Sequence, residues 1–267
     1  LNVTGCTFEN NDAFQAGALL VNGGVTTLLD TTFDNNIAVD AGGAMQSTAD
    51  SLVVATNCTF SANSASNFGG GILLVGNSTV VLQDSTFTEN ICDGYGGAVS
   101  VGTDRSESPG IVAILLMTSC NITSNVANIG AGISGSGSSN IALQDTTFFK
   151  NTAAFGGGLA TSNFAVANVL ECNFENNTAT YAGGVLIHSN DSSVFDGCTF
   201  QYNIGVVSAG AVGVSGNSST AFVGCCISLN NAGQQGGGMD LTAESKVQLV
   251  DVTVANNTAT NGGGVSM

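Results

Sequence analysis

The side chains that could perform acid–base chemistry in this sequence are few, and nearly all of them are acidic. Its 267 residues include 19 Asp and Glu, three Lys and Arg and one His, which gives a formal net charge of −16. The cations are Arg105, Lys150 and Lys246, and the histidine is His188. Lyases of acidic polysaccharides need a basic side chain beside carboxylates that hold Ca²⁺, and glycoside hydrolases need clustered carboxylates. Because the cations lie far apart and His188 is alone, we expect no catalytic residues and no enzyme.

The same charge balance excludes two classes of partner. Nucleic-acid binding is excluded because the neutralisation of phosphates requires a patch of Lys and Arg, and anionic membrane surfaces are disfavoured for the same reason. The longest apolar run, residues 111–117, is far shorter than the roughly 20 residues of a membrane-spanning helix, so no membrane insertion is expected. With 43% hydrophobic residues, the chain is also too apolar to be intrinsically disordered.

An internal repeat decides how these side chains are positioned. An apolar residue, two variable residues and an Asn recur ten times, with spacings of 25, 27, 27, 35, 26, 26, 26, 27 and 27 residues. Each Asn is followed within nine residues by a small-residue pair and an aliphatic residue or Met, as in Gly43-Ala44-Met45 and Gly97-Ala98-Val99. The recurring asparagines are Asn11, Asn36, Asn63, Asn90, Asn125, Asn151, Asn177, Asn203, Asn230 and Asn257.

The residue pattern of each copy is typical of short strands and turns. Residues 51–55, 79–83 and 246–250 mix β-branched and apolar side chains, and clusters of Gly and Asn separate such runs too often for helices. Three strands and three turns in 26 or 27 residues make one coil of a parallel β-helix, whereas a propeller blade needs about 40 to 50 residues. We predict an all-β, right-handed parallel β-helix of about ten coils, which is a single domain over residues 1–267.

Five acids share one column, three residues before the recurring apolar position. Only Asp145 and Glu171 fall on adjacent coils, where stacked like charges could recruit Ca²⁺ or have raised pKa values. The alternative, which we favour, is that these acids are solvated on the outside, so no cofactor is predicted. The column contains Asp30, Asp84, Asp145, Glu171 and Asp251.

Six of the eight cysteines occupy a second column, two residues before the apolar position. A buried Cys can act as a small apolar filler in a narrow interior. Cys172, Cys198 and Cys225 lie on neighbouring coils, which are about 4.8 Å apart and therefore within disulfide range. Packing and a disulfide column both remain open, and we favour packing. With one His and no Cys-x-x-Cys pair, a cysteine metal site is not predicted.

The Asn and Gly columns have structural explanations. Asn tolerates left-handed backbone geometry, and its amide can bond both to the local turn and to the Asn of the next coil. Gly permits a positive φ or a close backbone approach at a corner. We expect neither column to bind a ligand.

The alternation of Phe-x-x-Asn with Gly-Gly-Ala-(Ile/Leu/Val) resembles the repeats of the polymorphic outer membrane proteins of chlamydiae. The resemblance covers nearly the whole chain, and the copies that begin at Phe33 and Phe87 are the most similar. It implies a right-handed parallel β-helix at a cell surface, often with an adhesive role, and it carries no catalytic residues.

The period is interrupted once, by an insertion at residues 100–110 that contains Asp104, Arg105, Glu107 and Pro109. Such excursions from a solenoid often make contacts, so the insertion is either a partner or lateral contact or a tolerated loop. Eight Asn-x-Ser/Thr sequons are candidates for N-glycosylation. They begin at Asn2, Asn57, Asn77, Asn121, Asn176, Asn190, Asn217 and Asn256.

Neither end of the sequence carries a polar or helical cap, and open solenoid ends favour strand pairing. We therefore expect a segment of a longer solenoid or a subunit that associates head-to-tail or laterally. The sequence predicts a non-enzymatic structural protein, extracellular or at the cell surface, that builds a filament or appendage. The alternatives are a surface adhesin that binds a receptor or glycan and, third, a polysaccharide-active enzyme.

Overall fold

The computed structural model describes residues 1–102 and 112–267, and it confirms the predicted all-β parallel solenoid. Every strand pairing among the described residues is parallel and joins equivalent positions of successive coils, as in Phe33 beside Phe60 and Phe60 beside Phe87. The strands form three sheets that run the length of the rod. The ten copies of the motif supply the ten strands of the second sheet, so the chain completes nine coil-to-coil steps.

The first sheet has 18 strands because most coils contribute two short strands to it. They are Asn2–Thr4, Leu19–Leu29, Met45–Thr56, Ile72–Leu74, Thr79–Gln83, Val99–Val101, Ile114–Thr118, Ile133–Ser136, Asn140–Gln144, Leu159–Ser162, Val166–Leu170, Val185–His188, Ser192–Asp196, Val212–Val214, Ser219–Val223, Met239–Leu241, Lys246–Val250 and Val265–Ser266.

The second and third sheets receive one strand from each coil that they include. The second sheet consists of Thr7–Glu9, Thr32–Asp34, Thr59–Ser61, Thr86–Thr88, Asn121–Thr123, Thr147–Phe149, Asn173–Glu175, Thr199–Gln201, Cys226–Ser228 and Thr253–Ala255. The third sheet consists of Asp12–Gln15, Ile37–Ala41, Ser64–Ala65, Ile91–Tyr95, Val126–Ile129, Thr152–Phe155, Thr178–Tyr181, Ile204–Ser208 and Asn231–Ala232.

The strands predicted from β-branched runs are present. Thr79–Gln83 and Lys246–Val250 have the predicted bounds, and residues 51–55 lie within Met45–Thr56. The strand after the insertion is Ile114–Thr118. The charged residues of the insertion, Asp104, Arg105 and Glu107, and also Pro109, lie outside the described residues. In the described part of the chain, no helix is long and apolar enough to cross a membrane.

Stacked phenylalanines fill the interior at the second sheet. The rings of Phe33, Phe60 and Phe87 are nearly parallel, with centroids 4.8 Å and 4.6 Å apart. Phe148 and Phe174 continue the stack further along the rod at 4.5 Å. The repeat distance of a parallel sheet therefore sets the ring spacing, and each ring buries apolar surface against two neighbours.

The ten ladder asparagines are hydrogen-bonded across every neighbouring pair of coils. At Asn125, the backbone N–H and Nδ2 both donate to Oδ1 of Asn151, at 3.0 Å each. The same Nδ2 donates to the carbonyl of Phe87 on the preceding coil. Because the side chains from Asn36 to Asn230 are almost fully buried, the ladder satisfies polar groups that water does not reach.

The sequence-based prediction misplaces the left-handed residue, which is not the ladder asparagine but the residue before it. In all ten copies this preceding residue has a φ between 51° and 60°. It is Asn in four copies, but Ala62, Tyr202 and Leu229 adopt the same conformation. The hydrogen bonds of the following Asn hold the bend, which is why residues without a preference for this region occur there.

At the small-residue corner, both predicted explanations apply, each to a different residue. The first residue of the corner is left-handed in every copy, as at Gly42 with a φ of 67°. The second approaches the next coil: a Cβ on Gly43 would lie 2.0 Å from the carbonyl oxygen of Gly70. A side chain at Gly43 would therefore push neighbouring coils apart. Ala131 is the one residue with a Cβ at this second position.

Candidate functional site

The acidic column is a turn column. Asp30, Asp84, Asp145, Glu171 and Asp251 all have φ values between 48° and 53°. The same position in the other copies holds Gly, Asn or Ser, which fits the preference of the left-handed region for Gly, Asn and Asp. Among residues 1–102 and 112–267, no group of three His, Cys, Asp or Glu side chains could hold a metal ion.

The cysteine column closes the same turns. The thiols of Cys58 and Cys172 donate to the carbonyl oxygens two residues earlier, at 3.4 Å and 3.3 Å. Where the column holds Thr31, Ser85 or another hydroxyl residue, the hydroxyl makes the equivalent bond at 2.8–3.0 Å. Cys, Ser and Thr therefore alternate here because each is small and can donate a hydrogen bond, a role that the interpretation as an apolar filler missed.

All eight cysteines are free thiols in the structure, including Cys172, Cys198 and Cys225. These three are almost fully buried. Burial raises the pKa of the Cys172 thiol to about 12 and that of Cys120 to about 11. At neutral pH both are therefore protonated. A hydrogen bond from the Cys198 thiol instead lowers the pKa of Cys225, so Cys225 forms the thiolate more readily than Cys172 and Cys198 do.

The sequons lie on the outside of the coils. Seven of the acceptor asparagines, Asn2, Asn57, Asn77, Asn121, Asn190, Asn217 and Asn256, are exposed, and Asn176 is half-buried. Asn57, Asn176, Asn190, Asn217 and Asn256 occupy left-handed turn positions. A glycan on any of these turns would extend away from the rod.

The described cations do not converge with the acids. Lys150 is the left-handed residue before a ladder Asn, and its Nζ lies 4.9 Å from the ring centroid of Phe149. Lys246 begins an outer strand of the ninth coil. His188 ends the strand Val185–His188. Arg105 lies outside the described residues.

A groove of about 500 Å³ runs along the outside of the rod where the third sheet turns into the first. One wall is formed by Tyr95, Ile129, Phe155, Tyr181 and Ser208. They belong to the position just before the left-handed corner residue, which we call the edge column: Gln15, Ala41, Phe68, Tyr95, Ile129, Phe155, Tyr181, Ser208, Gln235 and Asn261. The opposite wall contains Ser162, His188, Ser215 and Thr242. We call the space between them the lateral groove.

The floor of the lateral groove is the outward face of the first sheet. Ala160, Leu186, Gly213 and Asp240 pair in this order on four successive coils. Gly213 is the floor position without a side chain, and the side chains of Ala182, Leu186 and Ala209 surround the place where its Cβ would stand. A Cβ at Gly213 would already lie 3.1 Å from the Cβ of Ala182.

The aromatic part of the edge column ends inside the groove. Phe155 and Tyr181 stack with centroids 5.4 Å apart, and Tyr181 is 39% exposed. On the next coil Tyr181 pairs with Ser208, so no ring of this column covers the second face of Tyr181. The groove thus contains an aromatic surface that the fold itself leaves open.

Polar groups lie opposite this ring. His188 Nδ1 and Ser215 Oγ share a hydrogen bond of 2.8 Å. Asp240 is only 8% exposed, yet its buried Oδ1 has no hydrogen-bond partner among the described residues. A buried carboxylate oxygen without a donor is energetically costly.

A second buried acid lies in the interior of the solenoid, behind the groove wall that contains His188. Asp191 is 1% exposed and shares an interior column with Ser139 and Ser218. Burial raises its pKa to about 7, and neither carboxylate oxygen has a hydrogen-bond partner among the described residues. Asp191 therefore destabilises the fold at high pH. Because it is buried, a ligand in the groove cannot reach it.

Sequence reasoning missed the lateral groove, although a signal was present. Phe68, Tyr95, Phe155 and Tyr181 each stand directly before the small-residue corner, at the period of the repeat. An aromatic residue that recurs at an outward position and then gives way to Ser208 indicates a surface feature. The inward Phe and its Asn mark the repeat more regularly than this second series does, since the edge column also holds aliphatic and polar residues.

The comparisons with known proteins agree with this architecture. A family model described as a right-handed beta helix region matches residues 1–164, which is more than half of the chain. No curated protein and no solved structure matches the chain. The parallel coils and the family match together place the chain in the right-handed β-helix family.

Proposed function

We propose that this β-helix is a non-catalytic, extracellular structural rod and the building block of a surface filament or appendage. The observation that carries the proposal is that each residue type that marks the repeat already has a task in the fold. The asparagines bond successive coils, the acids and cysteines form turns, and the glycines permit close contact. The repeated residues therefore serve stiffness rather than chemistry.

An exposed apolar strand face supports lateral assembly. Leu116, Leu170 and Val194 are each about 40% exposed on the outward side of the first sheet. Leu116 and Val194 belong to one column, separated by Ala142 and Asn168. Exposed apolar patches on a soluble protein often mark contact surfaces. A second copy that packs on this face would bury the patch without bringing many acids together.

The proposed location at a cell surface rests on two sequence features. The Phe-x-x-Asn and Gly-Gly-Ala repeats resemble those of surface-exposed polymorphic outer membrane proteins. The exposed sequons are compatible with an N-glycosylated rod. Measurement of the mass of native material before and after enzymatic deglycosylation tests whether the sequons carry glycans.

Electron micrographs and light scattering of the purified chain test the proposed assembly. We expect assemblies longer or wider than one rod, favoured by high salt because salt screens the repulsion between acidic surfaces. A double variant, Leu116→Glu with Val194→Glu, should reduce lateral assembly, whereas Val206→Glu on the third sheet is the matched control. A chain that stays monomeric at high concentration and high salt would contradict the proposal.

The lateral groove favours a second candidate function, that of an adhesin passenger that binds a receptor or glycan. Saturable binding of the labelled chain to cells would support it. A third function, cleavage of a polysaccharide, predicts activity on uronate polymers with Ca²⁺, and we expect none.

A further inference from the structure

We propose that the lateral groove binds an uncharged oligosaccharide that lies along the rod axis, with one sugar ring against Tyr181. The inference rests on the second candidate function, binding of a surface ligand, and it names the site and the chemical class of the ligand.

The groove has the shape of a site for a chain rather than for a small compact ligand. Its lining residues extend from Tyr95 on one wall to Thr242 on the other, over six successive coils, and both walls are present on the three coils between Phe155 and Ser215. At a parallel-strand spacing of about 4.8 Å, these coils cover about 24 Å along the axis. Ala160 and Gly213 leave space above the floor because they carry almost no side chain. A linear polymer of flat rings fits these dimensions.

The aromatic wall supplies the apolar half of sugar recognition. Tyr181 packs on Phe155 with one face, which holds the ring in place. Its other face stands over Ser208, where the edge column has no aromatic residue. Pyranose rings present an apolar face of C–H groups, which pack on such a surface, and a ring that is already fixed loses little entropy on binding.

The opposite wall supplies the polar half. His188 and Ser215 present a ring nitrogen and a hydroxyl, and Ser162 and Thr242 add two hydroxyls along the same edge. Asp240 lies on the floor of the groove, where 8% of the residue is exposed. Sugar hydroxyls can donate to this carboxylate and both donate to and accept from the hydroxyl wall.

The negative charge of the groove and of the whole chain determines which class of sugar can bind. No Lys or Arg among the described residues lines the lateral groove, and Asp240 is its acidic residue. On a chain with a net charge of −16, a uronate or sulfated chain would meet repulsion with no compensating cation. The groove therefore suits neutral hexose or N-acetylhexosamine chains.

The tyrosine content makes a direct assay possible. The protein has no Trp and only three Tyr, and Tyr95 and Tyr181 line the groove. Titration with cello-, xylo-, manno-, laminari- and chito-oligosaccharides, followed by tyrosine fluorescence and calorimetry, should identify at least one binding series. Polygalacturonate oligomers serve as the acidic comparison and should not bind.

Variants locate the binding. Tyr181→Ala and Asp240→Asn should each weaken the affinity about tenfold or more. Tyr202→Ala and Asp251→Asn, which change exposed turn residues outside the groove, should stay within about twofold of the unmodified chain. Circular dichroism and unfolding curves verify that all four variants are folded.

Two results would overturn the inference. One is that no neutral oligosaccharide of the panel binds. The other is that a sugar binds equally well to the native chain and to Tyr181→Ala and Asp240→Asn. If cell binding persists while the groove variants have no effect, the adhesin function survives and the groove assignment fails. Filament assembly is measured separately and does not depend on either outcome.

Discussion

The same repeat forms the interior of the solenoid and its lateral groove, yet the residue types at equivalent positions vary much less in the interior than along the groove. Inside, the ladder residue is Asn in all ten copies, and the stacked Phe is replaced only by Ile122, Ile227 and Val254. In the edge column, aromatic, aliphatic and polar residues occur, and the change from Tyr181 to Ser208 opens the groove. An interior residue must match its neighbours on two coils, whereas an edge residue also meets water. In a solenoid, a column that changes type therefore marks a surface that can acquire a ligand.

Removal of one ladder asparagine should give the largest effect. Asn151→Ala removes the acceptor of two bonds from Asn125 and the donor to the Ile122 carbonyl. The Asn125 backbone N–H and the Ile122 carbonyl would lose these partners, at about 1–3 kcal/mol each, whereas Asn125 Nδ2 keeps its bond to the Phe87 carbonyl. We therefore expect a loss of about 2–6 kcal/mol in the free energy of unfolding. Urea unfolding followed by circular dichroism measures it.

The control is Asn168→Ala, which changes an exposed Asn on an outward strand position of the next coil. It should alter the free energy of unfolding by less than about 0.5 kcal/mol. Equal effects of Asn151→Ala and Asn168→Ala would contradict the assignment of stability to the ladder.

The interior acid should produce the next largest effect, and this effect depends on pH. The pKa of Asp191 rises from 3.8 to about 7 on folding. Between about pH 4 and pH 7 the folded chain therefore holds a proton that the unfolded chain releases, and stability is lost as the pH rises through this window. At 1.36 kcal/mol per pKa unit, the loss is about 4 kcal/mol by pH 8.

Asp191→Ser inserts the residue that the same interior column holds at Ser139 and Ser218. We expect the variant to be more stable than the native chain at pH 8 and to lose the slope between pH 4 and pH 7. Asp196→Ser, at an exposed position, is the control and should keep the slope. An unchanged slope in Asp191→Ser would refute the raised pKa.

Much of this architecture could be predicted because the interior columns carry periodic residue types. The Asn ladder, the stacked Phe and the corner Gly each repeat at 26 or 27 residues, and stacking turns that period directly into contacts. The left-handed residue was misplaced by one position because Tyr202 and Leu229 give no sign of a left-handed backbone. The hydrogen-bonding role of Cys58 was not predicted because a buried Cys is usually treated as an apolar residue. The lateral groove was missed because it depends on which side chains are absent, at Ser208 and Gly213.

The cysteine column should contribute a smaller effect. Cys172, Cys198 and Cys225 are free thiols that donate to turn carbonyls. Replacement of all three by Ser keeps a donor at each turn, so we expect a change of no more than about 1 kcal/mol per site in unfolding free energy. A reducing agent should leave the thermal midpoint unchanged. A disulfide in this column would instead cost about 2–4 kcal/mol on reduction.

The smallest expected change in stability comes from Ser208→Tyr, and its sign is opposite to that of the ladder variant. A tyrosine at this position would continue the stack of Phe155 and Tyr181 by one coil and cover the floor at Gly213. An added aromatic pair is worth about 0.5–1.5 kcal/mol, so the variant should be slightly more stable. It should also lose oligosaccharide binding, because its ring occupies the open face of Tyr181. Ser208→Ala keeps the groove open and is the matched control. Stabilisation together with loss of binding would separate the two roles of this face: the edge column gains packing energy where it is aromatic, and it gains a site where it is not.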